Sequence, residues 1–260
     1  MRLQEVAWPK IQAYFERNDL VILGVGSTEC HGRHVALGTD TVVPEKILDL
    51  IEERAPQHLI APFVPYGNCD DLMGYPGSIS IGADVLKAVM TKIVDALYDC
   101  GARRFAILNG HGGNVRTLEE VGCELNRKGA WCALLNWWKM AGEIDPAWAG
   151  GHGGGQETAA VLAVNPAFVD REALAGEMLV NDAGDTLPTT GFDFVEYKGV
   201  HVELPRDVHH YSHNGWIGPD DPKDATEEWG HKMLNATADY IVDFLEEFQK
   251  IPLPKIQGKI

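Results

Sequence analysis

Short runs of aliphatic and β-branched residues alternate along the first half of the chain with longer stretches whose apolar positions recur at helical spacing. Leu20–Val25 is followed by a helical period over 43–53, the run 59–64 by 83–98, and 104–108 by 116–127; a last run, 131–137, closes the series. Strand and helix in alternation predict an α/β fold, three layers around a mostly parallel sheet with helices on both faces. Beyond residue 138 the pattern loosens. Residues 150–155 are a glycine-rich loop, 156–164 a short helix, and 182–221, rich in Gly, Pro, His and aromatics, a long covering segment. Residues 225–248 set Met233, Leu234, Ala238, Ile241, Phe244 and Leu245 at helical spacing ahead of Pro252 and Pro254, which predicts a closing helix. No repeat or linker composition interrupts this order, so one domain over 1–260 is expected.

Composition narrows the function classes. In 260 residues, 45% of them hydrophobic, there is material for a sizeable core. The formal net charge of -16, from 38 acidic against 22 basic residues, repels phosphate backbones and anionic lipid, and no Lys/Arg cluster offsets it. Nucleic acid and membrane are therefore not expected as partners. No apolar stretch approaches ~20 residues and Met1-Arg2-Leu3-Gln4-Glu5 does not begin a signal peptide, so a cytoplasmic location is expected. The 5 cysteines are scattered without a Cys-x-x-Cys pair and read as reduced thiols.

In open parallel sheets ligands gather beyond the carboxyl ends of the strands, and here the segments after three of the apolar runs, residues 27–40, 66–80 and 109–114, carry the chemistry. The first, Gly26-Ser27-Thr28-Glu29-Cys30-His31-Gly32-Arg33-His34, leads to Asp40. Glu29 and His31, two apart, share a side of extended chain, so carboxylate and imidazole can converge on one cation. Gly24-Val25-Gly26 opens like a dinucleotide fingerprint, but Glu29 stands where the third glycine belongs and would face the pyrophosphate. The second motif, Asn109-Gly110-His111-Gly112-Gly113-Asn114, surrounds a ligand candidate, His111, with glycines that let a substrate approach the main chain, Gly112 among them. Asn109 and Asn114 are capping or hydrogen-bonding groups as readily as substrate contacts. In the third, Gly151-His152-Gly153-Gly154-Gly155-Gln156-Glu157-Thr158, Glu157 starts a helix, where its charge also suits the helix dipole.

These motifs, with Tyr75-Pro76-Gly77-Ser78 between them, resemble in residue and order the signature of the creatininase (creatinine amidohydrolase) family over roughly residues 20–165. The resemblance implies a creatininase-like sandwich fold, a homohexamer, two divalent metal ions per subunit (Zn²⁺ and/or Mn²⁺), and hydrolysis of a cyclic amide in a small-molecule substrate, as in creatinine to creatine. Carried over, Glu29 and His111 bind one metal, His31 the other, and Asp40 bridges both. His152 is then the acid/base residue, and Trp148 closes over the substrate. A water between two such cations loses its proton near neutral pH and attacks a polarised carbonyl.

Two departures leave the substrate open. Where creatininase has a metal-binding Glu two residues after the His of the second motif, this chain has Gly113, and Glu157 is the expected replacement. Where many relatives have a His three residues before the aromatic of the Pro-Gly turn, this chain has Leu72, preceded by Asp70 and Asp71. A formamide, a peptide bond or a cyclic ketone is the alternative substrate, and a metal-dependent binding protein without turnover the alternative outside enzymes. A serine hydrolase is disfavoured because Gly77-Ser78-Ile79-Ser80-Ile81 lacks the closing glycine of a nucleophile elbow, and a cysteine amidase using Cys30 or Cys69 has no signature. His201, His209, His210 and His213 suit surface or hydrogen-bonding roles or a rim of the site, and Trp137 and Trp138 suit either core or pocket border.

Overall fold

The structure, a computed structural model, describes residues 1–174 and 178–256. Helix α1 (Trp8–Phe15) precedes strand β1 (Leu20–Val25), and α2 (Thr39–Arg54), β2 (Leu59–Ile60), α3 (Gly82–Cys100), β3 (Arg104–Asn109), α4 (Val115–Arg127) and β4 (Trp131–Asn136) follow. The four strands form one parallel sheet in the order β2-β1-β3-β4. Side chains alternate across a strand, so each strand feeds two cores. Leu20, Ile22, Ala106, Leu108 and Leu135 pack with α2 and with three later helices, α5 (Trp137–Ile144), α6 (Gly155–Val164) and α7 (Glu227–Lys250). Val21, Leu23, Val25, Phe105 and Ile107 pack on the other face with α1, α3 and α4. This is the expected α/β architecture with helices on both faces of a mostly parallel sheet.

Several boundaries differ from the periodicity. The run 59–64 pairs as a strand only over its first two residues, because Pro62 has no N–H to give the ladder; a single bridge, Val25 to Val64, resumes beyond it. Helix α2 begins at Thr39, which puts Asp40 in its first turn. The covering segment contains a second, antiparallel sheet of β5 (Thr189–Gly191), β6 (Phe194–Tyr197) and β7 (Val200–Glu203). Lys198 and Gly199, both at positive φ (51° and 78°), make the tight turn between β6 and β7. No helix among the described residues is long and apolar enough to cross a membrane.

Candidate active site

Strands β1 and β3 end level, Val25 opposite Asn109, so the two loops that carry Glu29, His31 and His111 leave the sheet at one edge. The first turn of α2 drops between them. A β-carbon on Gly26 or Gly110 would fall 2.1 or 2.0 Å from the Asp40 carbonyl oxygen, so glycine at both positions lets the helix start sit against the strand ends. Its dipole favours the negative charge of Asp40 in that turn.

Asp40 then faces two histidines. Its Oδ1 lies 3.0 Å from His31 Nε2 and its Oδ2 3.0 Å from His111 Nδ1. Glu29 Oε1 is 3.1 Å from His111 Nδ1, and Glu157 Oε2 is 3.6 Å from His31 Nε2. Two triads result, Glu29-Asp40-His111 and His31-Asp40-Glu157, with Asp40 in both.

The outer ring nitrogens explain the inner ones. His31 Nδ1 is 3.2 Å from the Glu29 carbonyl and His111 Nε2 is 2.8 Å from the Asn68 carbonyl. Carbonyl oxygens only accept, so these nitrogens carry hydrogens, and a neutral ring turns its bare lone pair toward the carboxylates. Lone pairs at such distances repel unless a proton or a cation stands between them. Consistent with a cation, His31 Nε2, both carboxylate oxygens of Glu29 and Asp40 Oδ2 are buried without a hydrogen-bond partner. The residues present therefore fit divalent metal, with ring-orienting carbonyls of the kind that accompany metal-binding histidines.

With no cation the cluster must hold protons. Burial alone would depress the His31 imidazolium, but Asp40, Glu157 and Glu29 override it and push its pKa up to about 10. Burial likewise opposes the charge on His111, and Glu29 and Asp40 raise it well above its ordinary value. Burial works against the Asp40 charge too, yet the two histidines hold its carboxyl well below the usual range. Glu157 is pushed up to about 7 by burial, with Asp40 and Glu29 adding to it. His152 goes the other way, down to about 3, through burial and the positive charge of His31.

His152 sits on a turn in which Gly153 (φ +65°) takes the left-handed conformation. Its Nδ1 is 3.9 Å from Glu29 Oε1, its Nε2 is buried without a partner, and Phe192 meets its ring edge-on at 5.5 Å. Glu157 has two tasks: Oε2 accepts from Gly153 N at 2.7 Å while facing His31. Gly113 cannot carry a side chain in this loop, since a β-carbon there would lie 2.2 Å from the Asn68 carbonyl that holds His111 and 2.5 Å from His111 Nε2. Asn109 and Asn114 bind the loop itself. Asn109 Nδ2 donates to the His111 carbonyl at 2.8 Å, and Asn114 Nδ2 donates to the Gly26 carbonyl at 3.0 Å.

The cluster opens into a cavity of about 710 Å³. Gly112 lines it and faces open space, with nothing within 4 Å of a β-carbon built there. Trp148 does not line it. Residues Pro146–Trp148 form a 3-10 turn, the indole packs on the core beside α6, and what Trp148 offers is its carbonyl, accepting from Gln156 Nε2 at 2.5 Å. The tryptophan that lines the cavity is Trp138, whereas Trp137 is fully buried in the core. Leu72 is buried with Val208, Tyr211 and Ile217, and the neighbour that reaches the cavity is Asp71. Burial and the Glu29 charge push the Asp71 carboxyl up to about 6. His201, His209, His210 and His213 lie outside the cavity lining and are exposed.

Two contributors had no signal in the motifs. The β5–β6 hairpin brings Thr190, Gly191, Phe192 and Asp193 to the cavity; its strands, Thr-Thr-Gly and Phe-Val-Glu-Tyr, are too short and too irregular in pattern to stand out in a Gly- and Pro-rich segment. Asp220 caps the α6 turn from outside, Oδ1 accepting from Gly151 N at 2.8 Å and Oδ2 from Gln156 N at 2.7 Å.

Comparison with known proteins matches the creatininase family, described as creatinine amidohydrolase, over residues 4–245. A mycofactocin precursor peptide peptidase of Mycobacterium ulcerans (strain Agy99) is 31% identical over 165 residues, 60% of this chain and 62% of its own. The chain thus spans about three fifths of that relative's length. A creatinine amidohydrolase of Pseudomonas putida is 28% identical over 191 residues, 64% of this chain and 72% of its own. A solved structure described as creatininase Mn shares the fold, with a TM-score of 0.73 at 24% identity over 96% of this chain and 99% of its own. With fold and sequence agreeing over nearly the whole length, the chain belongs to the creatininase family of amidohydrolases.

Proposed function

We propose that this protein hydrolyses a C–N amide bond using two divalent cations, Zn²⁺ and/or Mn²⁺, one at Glu29, Asp40 and His111 and the other at His31, Asp40 and Glu157. The observation that carries this reading is Asp40, whose two oxygens face two different histidines at 3.0 Å each. Carboxylates with imidazoles suit these borderline and hard cations rather than soft ones. Bound there, such cations lower the pKa of a water toward ~7 and polarise a carbonyl oxygen, the two requirements of amide hydrolysis at neutral pH.

The chain's own residues supply the rest. His152 is neutral at pH 7, and added positive charge beside it keeps it so. Its unpartnered Nε2 takes the proton of the attacking water and returns it to the departing nitrogen, as general base and then general acid. Phe192 limits water around that ring, and the open face of Gly112 admits the substrate close to the main chain.

The first substrate reading is a cyclic amide, creatinine opened to creatine. A peptide or larger amide is the second, favoured by a cavity of about 710 Å³, which is more than so small a ring needs, and by the peptidase relative. The test is metal-stripped protein reconstituted with Zn²⁺ or Mn²⁺ and assayed for creatine formation and for peptide cleavage. Metal-dependent turnover of either supports amide hydrolysis and selects the substrate class. Protein confirmed to hold two metals and inert toward cyclic amides, formamides and peptides alike would overturn it.

A further inference from the structure

Five carboxylates line the cavity: Glu29, Asp40 and Glu157 of the cluster, and Asp71 and Asp193 apart from it. Among the described residues no Lys or Arg lines it. Two divalent cations balance the three cluster carboxylates with one positive charge to spare, and Asp71 and Asp193 more than cancel that charge. A substrate carboxylate or phosphate would thus find no Lys or Arg here, whereas a positively charged group would find two acids.

Both acids are held in place rather than free on a loop. Asp71 belongs to the 3-10 turn Asp70–Leu72, pinned by the buried Leu72 beside Val208, Tyr211 and Ile217. Asp193 forms the tip of the β5–β6 hairpin at φ 58°, a left-handed position that Asp tolerates better than most residues. Its N–H donates to Tyr211 Oη at 3.2 Å and its carbonyl accepts from Leu204 N at 2.7 Å. Asp193 Oδ1 accepts from Arg206 N at 3.2 Å. The Arg206 guanidinium lies over the Tyr211 ring, 4.3 Å from its centroid, and does not line the cavity. Asp71 and Asp193 thus line the same cavity as the cluster, each from a different segment of the chain.

We infer that Asp71 and Asp193 form a subsite for a cationic group, so that the substrate is an amide that also bears a protonated amine or guanidinium. The inference rests on the proposed metal centre, which would fix the scissile carbonyl while the acids fix the charge. It also orders the substrate readings: a peptide held by its amino terminus or by a basic side chain fits both subsites, and a neutral ring uses one.

The test is calorimetric binding of two hydroxamates to the metal-loaded protein at pH 7.5, 6-aminohexanohydroxamate and its uncharged counterpart hexanohydroxamate. The expected result is about tenfold to a hundredfold tighter binding of the amine, as for a charge-assisted hydrogen bond in a partly dry site. In Asp71→Asn that ratio falls toward one, and in Asp193→Asn it falls in the same direction, with metal content and Tm confirming an intact centre. Equal affinity for both ligands in the unaltered protein, or an undiminished ratio in both variants, would overturn the inference alone. Failure of both hydroxamates to bind protein carrying two metals would overturn the metal-centre reading and this inference with it.

Discussion

Gly110 backs directly onto the main chain of Asp40: a β-carbon at position 110 would lie 2.0 Å from the Asp40 carbonyl oxygen. That oxygen belongs to the first turn of a helix and cannot yield as the end of a flexible side chain would. Gly110→Ala is expected to push the start of α2 away from the strand ends, costing about 1–3 kcal/mol as overpacking does, or more, and spoiling metal uptake. Urea unfolding and metal content would check it. A variant with unchanged metal content would show that Asp40 does not need this contact.

Asp40 and His152 should fail in different ways. Asp40→Ala removes the group common to both triads and is expected to leave the purified protein short of metal. His152→Ala should keep its metals and lose about 10²- to 10⁴-fold in kcat, the usual worth of a positioned acid/base. Elemental analysis beside single-turnover kinetics separates the two. Full activity in either variant contradicts the assignment.

Glu157→Gln tests whether the carboxylate absent at Gly113 is replaced from α6. The amide keeps an oxygen for Gly153 N–H but offers a poorer, uncharged ligand beside His31. Titration with Zn²⁺ in the presence of a competing chelator is expected to show one site weakened by at least about tenfold. Two sites of unaltered affinity would remove Glu157 from the ligand set.

In the metal-free protein, stability should fall as pH rises above neutrality. The folded pKa of His31 is raised to about 10, so the stability it contributes is complete below its unfolded value of 6.5 and is lost as pH climbs through the folded one. Glu157, raised from 4.5 to about 7, acts in the same direction at lower pH, since the folded state holds its proton longer than the unfolded chain does. The Tm of metal-stripped protein should therefore drop between pH 7 and 10, and metal-loaded protein should vary less. A flat or rising Tm in the stripped protein over that range would contradict the electrostatic account of the cluster.

Asp220 is a support with no role in bond making. Asp220→Asn puts an amide NH₂ against Gly151 N–H or Gln156 N–H, an unmet donor worth about 1–3 kcal/mol. Gly154→Ala should resemble it, because a β-carbon there would fall 2.3 Å from Asp220 Oδ1. Both are expected to lower stability in denaturant titrations and to reduce kcat at normal metal content, since the turn they brace carries His152. Unchanged stability in Asp220→Asn would mean that water replaces the cap.

The sequence by itself determined what depends on neighbours along the chain. Apolar runs marked β1, β3 and β4, helical spacing marked α2, α3, α4, α6 and α7, the turns after strand ends marked Glu29, His31 and His111 as groups able to meet at one edge of a parallel sheet, and the glycine-rich loop before α6 marked His152. Tertiary structure alone decided how those groups are shared. The division of the two Asp40 oxygens between His31 and His111, the exclusion of any side chain at Gly113 by the Asn68 carbonyl, the choice of Trp138 over Trp148 and the choice of Asp71 over Leu72 each depend on a close approach between distant segments. Asp220 reaches its partner across 69 residues of chain. Periodicity reports which face of an element is buried, through the repeat of its own side chains. It carries nothing about which distant backbone will lie 2 or 3 Å away, and at this site those approaches set the chemistry.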